Sequence, residues 1–577
     1  MDKLKETIVE KYKNGILLDF ANDYYHHNKE DAESLISLLS ELHNKQQINI
    51  VEVFSKLTNM PSRHDFFSKM IIFEKILPNL SSSIIDIVEC VKKITLEAGQ
   101  DMAAYMLIDP LIELCKKNIS YPDELFYFSL SKVDPDFDSL SIAIQAGVSI
   151  NEKDYIEKGI NLLNNKNSKI VEQALFALGK IKYQDHKLLT LAATEIINLT
   201  SSLPSDKILA ISLRALINIF SQNNSLENLV LEFLSKHSNN FGELYVNTAA
   251  TIIAYNYGIL NDKLIKVLFD ICCHVKPENI GTVNIVDYAL SNLLKQGEFT
   301  ECVSYIEKLL SLTDNRLSIE NLTSFTNEIN NYPETHLSSL ITRWLVSNNY
   351  YLCKNCSYIL DRRESDASIK FNKEMLSDIS PQTYILLAKR ACGWFFIRPK
   401  IAIGLITSLM YDVPDDALDE IKEIIFNPLF ISYPGSMHES ISQLKSSSNH
   451  RMRKIAEDIL VSFDKYQDTV EKATELKELI TSEQDRHTYR RHQNRLMDDS
   501  IKQARSKSVF SSIFSGNESL LLYGNKSIHY IQHGEDKIRQ EIPLQEISHS
   551  MLLASMLNLD PHGLNKMIFQ FKIEGCN

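Results

Sequence analysis

Between Lys169 and Ile181 the chain reads KIVEQALFALGKI, and its apolar residues Ile170, Val171, Ala174, Leu175, Ala177, Leu178 and Ile181 recur at three- and four-residue spacings. That period places them on one wide stripe of an α-helix. A stripe of this width needs cover from neighbouring helices. The pattern returns downstream: Asp206 to Ile219 (DKILAISLRALINI) has the same form, and weaker echoes start at Gly242 (GELYVNTAATIIAYN) and Thr282 (TVNIVDYALSNLLKQG). An interval of about 36 to 40 residues lies in the range of two-helix solenoid repeats. Small residues at Ala174, Ala177, Gly179, Ala210 and Ala215 let one copy approach the next closely.

The run Ala177-Leu-Gly-Lys-Ile181 is similar to the inner helices of HEAT-type repeats, and the resemblance extends over Lys169 to Gly297. It departs from the fuller HEAT pattern, having no regular proline in the outer helices and no recurring Asp/Arg pair. The resemblance implies a helical array whose curved face binds a protein partner and carries no reaction of its own.

Residues 1–165 are helix after helix, broken at His27 to Asp31, Asn59 to Ser62 and Asn118 to Pro122, and are expected to be diverged repeats. Asp109-Pro110 and Asp134-Pro135 have the form of helix starts, an acceptor before a proline. Residues 166–466 hold the clear repeats and their continuation. Within them Trp394 to Tyr411 reads as a buried helix interrupted by Arg398, Pro399 and Lys400, Arg362 to Asp366 as a polar loop, and Asp412 to Asp416 as a helix start. Phe426 to Gly435 is an apolar connection with two prolines, suited to burial or to a partner. Arg451 to Val461 is one more amphipathic helix.

Residues 467–508 contain neither Gly nor Pro and few apolar positions, so a long charged helix is expected, basic in its second half. Its full length would reach about 60 Å, far enough to carry the C-terminal residues to a second contact. Residues 509–577 switch to a β-meander plus helix: strands at Leu520 to Tyr523, Ser527 to Ile531 and Lys537 to Pro543, turns at Gly524-Asn525 and Gln532 to Asp536, and a helix from Asp560 to about Lys572. The expected fold class is all-α, a HEAT-like α-solenoid with a long charged helix and a small C-terminal α+β unit.

Composition narrows the function. Glycine occurs 17 times in 577 residues, under half the usual share of about 7 %. No phosphate-cradling G-x-x-x-x-G-K-[ST] or G-x-G-x-x-G motif is present. A formal net charge of −13 disfavours nonspecific binding to nucleic acid or anionic membrane. The opening MDKLKETIVEKYKNG lacks the apolar core of a secretory signal. Nine cysteines, mostly on apolar helical faces, fit reduced core residues of a cytoplasmic protein. The abundance of Ile, Asn, Lys and Ser matches a low-GC bacterial source.

Candidate chemistry is sparse. Cys353-Lys-Asn-Cys356 has the spacing of a zinc half-site or a redox pair, but Cys392 is the nearest further cysteine. Arg486-His-Thr-Tyr-Arg-Arg-His492 resembles the Arg-x4–6-His motif of HEPN ribonucleases; in that resemblance Arg486 stabilises a phosphate and His492 acts as acid or base. At this length about one such match arises by chance. His26 and His27, the acidic pair Asp415 and Asp416, and the histidines His529, His533, His549 and His562 lack ligand or catalytic spacing. The sequence therefore predicts no cofactor, no metal and no catalytic residue. It predicts a scaffold that binds protein partners within a multi-protein assembly, with a helical nuclease or nucleic-acid-binding component using Arg486 to His492 as the alternative.

Overall fold

The computed structural model describes residues 2–28, 31–59, 62–99, 101–238, 241–360, 369–377, 379–479, 481–506, 522–523, 526–533, 536–543 and 553–576. They form two compact units, Met1–Leu317 and Ser318–Asn577. The division falls inside the stretch 166–466.

Unit 1 is an all-α stack. The recurring pattern gives four inner helices, Ser168–Lys180, Asp206–Phe220, Glu243–Asn256 and Ile280–Lys295, each packed on the next. Outer helices His186–Ser202, Glu227–Lys236, Asp262–Cys272 and Phe299–Leu312 alternate with them and form a second row. Polar side chains punctuate the array. Asn167, Asp185, Ser205, Asn261 and Asn279 each accept a main-chain N–H in the first turn of the helix they precede, a cap worth about 1 kcal/mol.

The stripe from Ile170 to Leu178 is buried throughout. Its closest crossing lies at Gly179, where a Cβ atom would sit 2.6 Å from Ala215 Cα. Only glycine permits that approach.

Hydrogen bonds between successive helix pairs span 33 to 39 residues. Gln173 accepts from the Leu140 N–H at 3.0 Å, 33 residues away. Gln222 accepts from the Tyr183 N–H at 3.0 Å, 39 residues away. Asp206 accepts from Leu244 N–H at 3.0 Å, and Asn292 donates to the Ala254 carbonyl at 3.0 Å, each across 38 residues.

Helices of residues 1–165 stack in the same way. Arg63–Ile76 packs on Ala32–Asn44, Ile84–Ala98 on Tyr121–Ser131, and Ser139–Val148 joins Ile108–Lys117 to Ser168–Lys180. Asn59 N–H donates to Glu97 across 38 residues at 3.0 Å. Ser139–Val148 has no charged residue and is buried on nearly every side, as expected of a helix enclosed by others.

One helix start is corrected. Asp109-Pro110 lies in the first turn of Ile108–Lys117, but Asp134-Pro135 opens nothing, and the helix begins at Ser139. Asp134 is engaged by the Lys92 ammonium and accepts from Asp136 N–H at 2.9 Å instead.

Unit 2 stacks helices in the same manner. Glu334–Val346 packs on Pro381–Trp394, which packs on Asp415–Ile424. Ile319 N–H donates to Asn355 at 2.8 Å across 36 residues, and Arg451 donates to the Val413 carbonyl at 2.6 Å across 38. The apolar segment 394–411 yields the buried helix Pro399–Leu409. Pro428, Leu429 and Phe430 are core residues, and the Phe430 ring lies 4.0 Å from that of Phe463. The proline-containing connection is thus packed within the unit. The polar loop Arg362 to Asp366 lies outside the described residues.

The charged run 467–508 is divided. His450–Thr474 carries its start, and a separate helix, Glu483–Ser506, carries its basic half. Ser482 makes the break: its Oγ accepts from Asp485 N–H at 3.2 Å and donates to the Asp485 carboxylate at 2.6 Å, a capping arrangement. A helix of 24 residues extends about 36 Å rather than 60.

The meander is present as an antiparallel sheet of order Leu522–Tyr523, Lys526–His533, Asp536–Pro543, with Ser527 opposite Ile542. The turn residues Gly524, Asn525, Gly534 and Glu535 lie outside the described residues, as do residues 507–521.

The C-terminal helix Pro561–Ile573 departs from expectation. It starts where Asp560 accepts from Gly563 N–H at 2.8 Å, but it is not carried to a distant contact. It packs on Pro381–Trp394 and Tyr350–Leu360. At the crossing a Cβ on Gly393 would meet Phe571 Cβ at 3.1 Å. The wholly buried Arg390 donates to the carbonyls of Leu345 (2.6 Å), Ser347 (2.7 Å) and Glu574 (3.0 Å). Lys389 pairs with Glu574 at 2.9 Å. Lys572 lies over the Trp394 ring, 5.1 Å from its centre, and desolvation holds its ammonium below the ordinary pKa.

Two outcomes are expected. Gly179→Val will destabilise unit 1 by about 1–3 kcal/mol through overpacking against Ala215, read as a shift in urea midpoint by circular dichroism. Deleting residues 553–577 will destabilise unit 2 by about 3 kcal/mol or more, because the apolar surface that the C-terminal helix covers on Pro381–Trp394 is exposed to water. Both tryptophans, Trp344 and Trp394, lie in unit 2, so tryptophan fluorescence during denaturation reads that unit alone.

Candidate interaction surface

Each inner helix of unit 1 is buried except along one stripe. The stripes run through Lys169, Glu172, Phe176 and Lys180; Lys207, Ile211, Arg214 and Asn218; Leu244, Asn247, Thr251 and Tyr255; and Asn284, Tyr288 and Asn292. The spacing of three and four within each stripe is that of one helix face. Because the helices stack, the four stripes join into one surface. Asn247 donates to Thr282 Oγ1 at 2.9 Å, and the rings of Tyr255 and Tyr288 lie 5.8 Å apart.

Large apolar groups are exposed there. Tyr255 is 68 % exposed, Tyr288 41 % and Phe176 38 %. Lys180 lies 5.7 Å from the centre of the Phe176 ring. Exposed aromatics beside a cation are typical of residues that anchor protein contacts.

The charge of the surface opposes that of the chain. Glu172 is its single carboxylate and is neutralised by Lys207 at 2.7 Å. Lys169 is held by Asp138 at 3.4 Å. At the neighbouring helix starts, Asp206 is occupied by the N–H groups of Leu244 and Tyr245, and Glu243 pairs with Lys276 at 2.8 Å. Arg214 and Lys180 remain without a carboxylate among the described residues. They flank the close crossing of Gly179 and Ala215.

The residues singled out by sequence lie elsewhere. Arg486 and His492 are both exposed on Glu483–Ser506. Six positions apart on a helix, they point about 120° from one another. Arg491 instead donates to His487 at 3.1 Å. Cys353 and Cys356 are buried on the helix Tyr350–Leu360, and burial pushes the Cys353 thiol up to about 12 and raises that of Cys356 as well. Among the described residues no group of three or more His, Cys, Asp or Glu side chains is arranged to hold a metal ion.

His26 and His27 lie at a helix end, bonded to Ser68 Oγ at 2.5 Å and to the Asp23 carbonyl at 2.7 Å. Asp415 and Asp416 sit in the first turn of Asp415–Ile424, where Asp415 also pairs with Arg451 at 2.9 Å. His562 is exposed near the start of the C-terminal helix. His529 and His533 lie on the central strand of the sheet. His549 is outside the described residues. Among the described residues no helix is long and apolar enough to cross a membrane.

Three buried or half-buried histidines serve structure. His43 Nδ1 accepts from Ile50 N–H at 3.2 Å, leaving Nε2 to donate to Ser82 Oγ at 2.8 Å. Desolvation lowers its pKa below the ordinary 6.5. His237, beside Thr200 Oγ1 at 3.2 Å, is lowered for the same first reason, as is His274, stacked on Phe241 at 3.5 Å. A depressed folded pKa means that the unfolded chain takes up protons first as pH falls. Stability is therefore level above the unfolded pKa and declines below about pH 6.5 until the folded groups protonate. Melting temperatures across about pH 5 to 8 will show that decline, with a shallower slope in His43→Gln.

The chain matches no protein-family model, and no curated protein matches it.

Proposed function

We propose that the protein is a non-enzymatic scaffold that holds an acidic protein segment along the exposed stripes of its inner helices. One observation carries this reading: in a chain of net charge −13, the surface bearing Phe176, Tyr255 and Tyr288 also bears the uncompensated cations Lys180 and Arg214. Opposite charge steers an acidic segment to the surface, and burial of the aromatic rings supplies the specific contact. The HEAT-like reading of the repeats agrees with this role, since stacked helices offer a long surface and no preformed reaction centre. Membership of a multi-protein assembly belongs to the same proposal.

The test begins with partners that copurify with the full chain, identified by mass spectrometry and then titrated in pure form. Arg214→Glu and Tyr255→Ala/Tyr288→Ala should each weaken binding of the true partner by about tenfold or more without changing the melting temperature. Rising salt should weaken it further. If both variants bind the partner like wild type, the surface assignment is rejected. Loss of RNA binding or cleavage on Arg486→Ala, with no acidic protein bound, would replace the scaffold by the nuclease reading.

A further inference from the structure

Equivalent positions recur across the exposed surface of the inner helices. Counted from each helix start, Lys180 is the thirteenth residue of Ser168–Lys180 and Arg214 the ninth of Asp206–Phe220. Tyr255 is the thirteenth residue of Glu243–Asn256 and Tyr288 the ninth of Ile280–Lys295. The two pairs therefore stand at one level of the stack, the cations where the first inner helix meets the second and the tyrosines where the third meets the fourth. Both crossings are held in place. Gly179 meets Ala215 beside the cations, and beside the tyrosine pair, with rings 5.8 Å apart, Asn292 donates to the Ala254 carbonyl at 3.0 Å.

The chemistry changes from one crossing to the other. Among the described residues Lys180 and Arg214 have no carboxylate partner, and Lys180 lies over the Phe176 ring. Where the second inner helix meets the third, the same level holds Asn218 and Thr251, both polar and uncharged. On the third and fourth helices Leu244 and Ile280 are exposed, Glu243 is engaged by Lys276, and Asp287 is buried. A cationic end and an uncharged aromatic end are thus two helix spacings apart, about 16–20 Å at 8–10 Å for each packed pair.

We propose that this surface takes a two-part segment of the acidic partner: a run of carboxylates over Lys180 and Arg214, and an apolar anchor of leucine or proline type against Tyr255 and Tyr288. An extended chain rises about 3.3 Å per residue, so about five or six residues separate the two parts. The inference rests on the scaffold reading and adds that the two ends recognise different chemistry. A carboxylate laid across the tyrosines would shed water with no cation to replace it. An apolar side chain laid on Lys180 and Arg214 would strip water from the cations and return nothing ionic. Joined in one segment, each part raises the effective concentration of the other at its own crossing.

The experiment titrates fluorescein-labelled peptides into the full-length protein by fluorescence anisotropy. One peptide joins a triple-glutamate end to a Leu-Pro-Leu end through a Gly/Ser spacer of about six residues, made in both chain orders. The controls are the same ends joined directly and each end alone. In one order the spaced peptide should bind about tenfold or more tighter than any control. Arg214→Glu should reduce it to the affinity of the apolar end and abolish its salt dependence. Tyr255→Ala/Tyr288→Ala should reduce it to the affinity of the acidic end, with salt dependence retained. Equal binding of spaced and directly joined peptides, loss of the same end in both variants, or no binding of the spaced peptide overturns the two-part arrangement and leaves the scaffold reading standing. The scaffold reading fails separately, when the copurified partner binds both variants like wild type.

Discussion

Each inner helix has an apolar stripe wider than its own repeat can cover, and that excess surface governs the molecule. Burial of a Leu or Ile side chain stabilises by about 1.5–3 kcal/mol, so the stripe drives the next helix into place. The interval between partners then becomes a property of each unit's stack. It shows in the side-chain bonds, where Asn59 finds Glu97, Asp206 finds Leu244 and Arg451 finds Val413, each across 38 residues. These bonds settle polar groups that stacking would otherwise strand, and they define register between repeats. The apolar surface supplies the drive, and the polar ladder selects one arrangement.

A stack built this way leaves one narrow stripe of every inner helix uncovered. The side chains placed there are free of packing demands, so their chemistry is open to function. In unit 1 those positions hold tyrosines, a phenylalanine and cations, while carboxylates near them are occupied by Lys207, Lys276 or main-chain N–H groups. The contrast with the acidic remainder is a consequence of position, because the same residues on the buried faces would be costly.

Much of the fold was legible from period alone. Ile170 to Leu178, the echoes at Asp206, Gly242 and Thr282, and the helix opened by Asp560 all depend on local pattern and lie where that pattern places them. The features that escaped depend on distant partners. Asp134-Pro135 looks like Asp109-Pro110, but Lys92 claims its carboxylate from another helix. The break before Glu483 did carry a local sign, Ser482 three residues ahead of Asp485, hidden within a polar run. The inner-helix surface was legible as helices and illegible as a face, because Phe176, Arg214, Tyr255 and Tyr288 adjoin only after stacking. Arg390 had one visible oddity: with Lys389 it interrupts the apolar run from Tyr384 to Phe396. Nothing near it announced that Glu574 and Cys576 complete its surroundings.

That distance bears on how unit 2 is born. Arg390 emerges from the ribosome shortly after Leu345 and Ser347, but the Glu574 carbonyl follows 184 residues later. At about 5–20 residues per second the interval is about 10–40 s. During it the guanidinium faces two carbonyls on one side and solvent on the other, and the face around Gly393 stays open. Helices that stack in sequence order can settle as they appear, whereas this centre waits. The face around Gly393 therefore gains its cover only when the last helix of unit 2 is made.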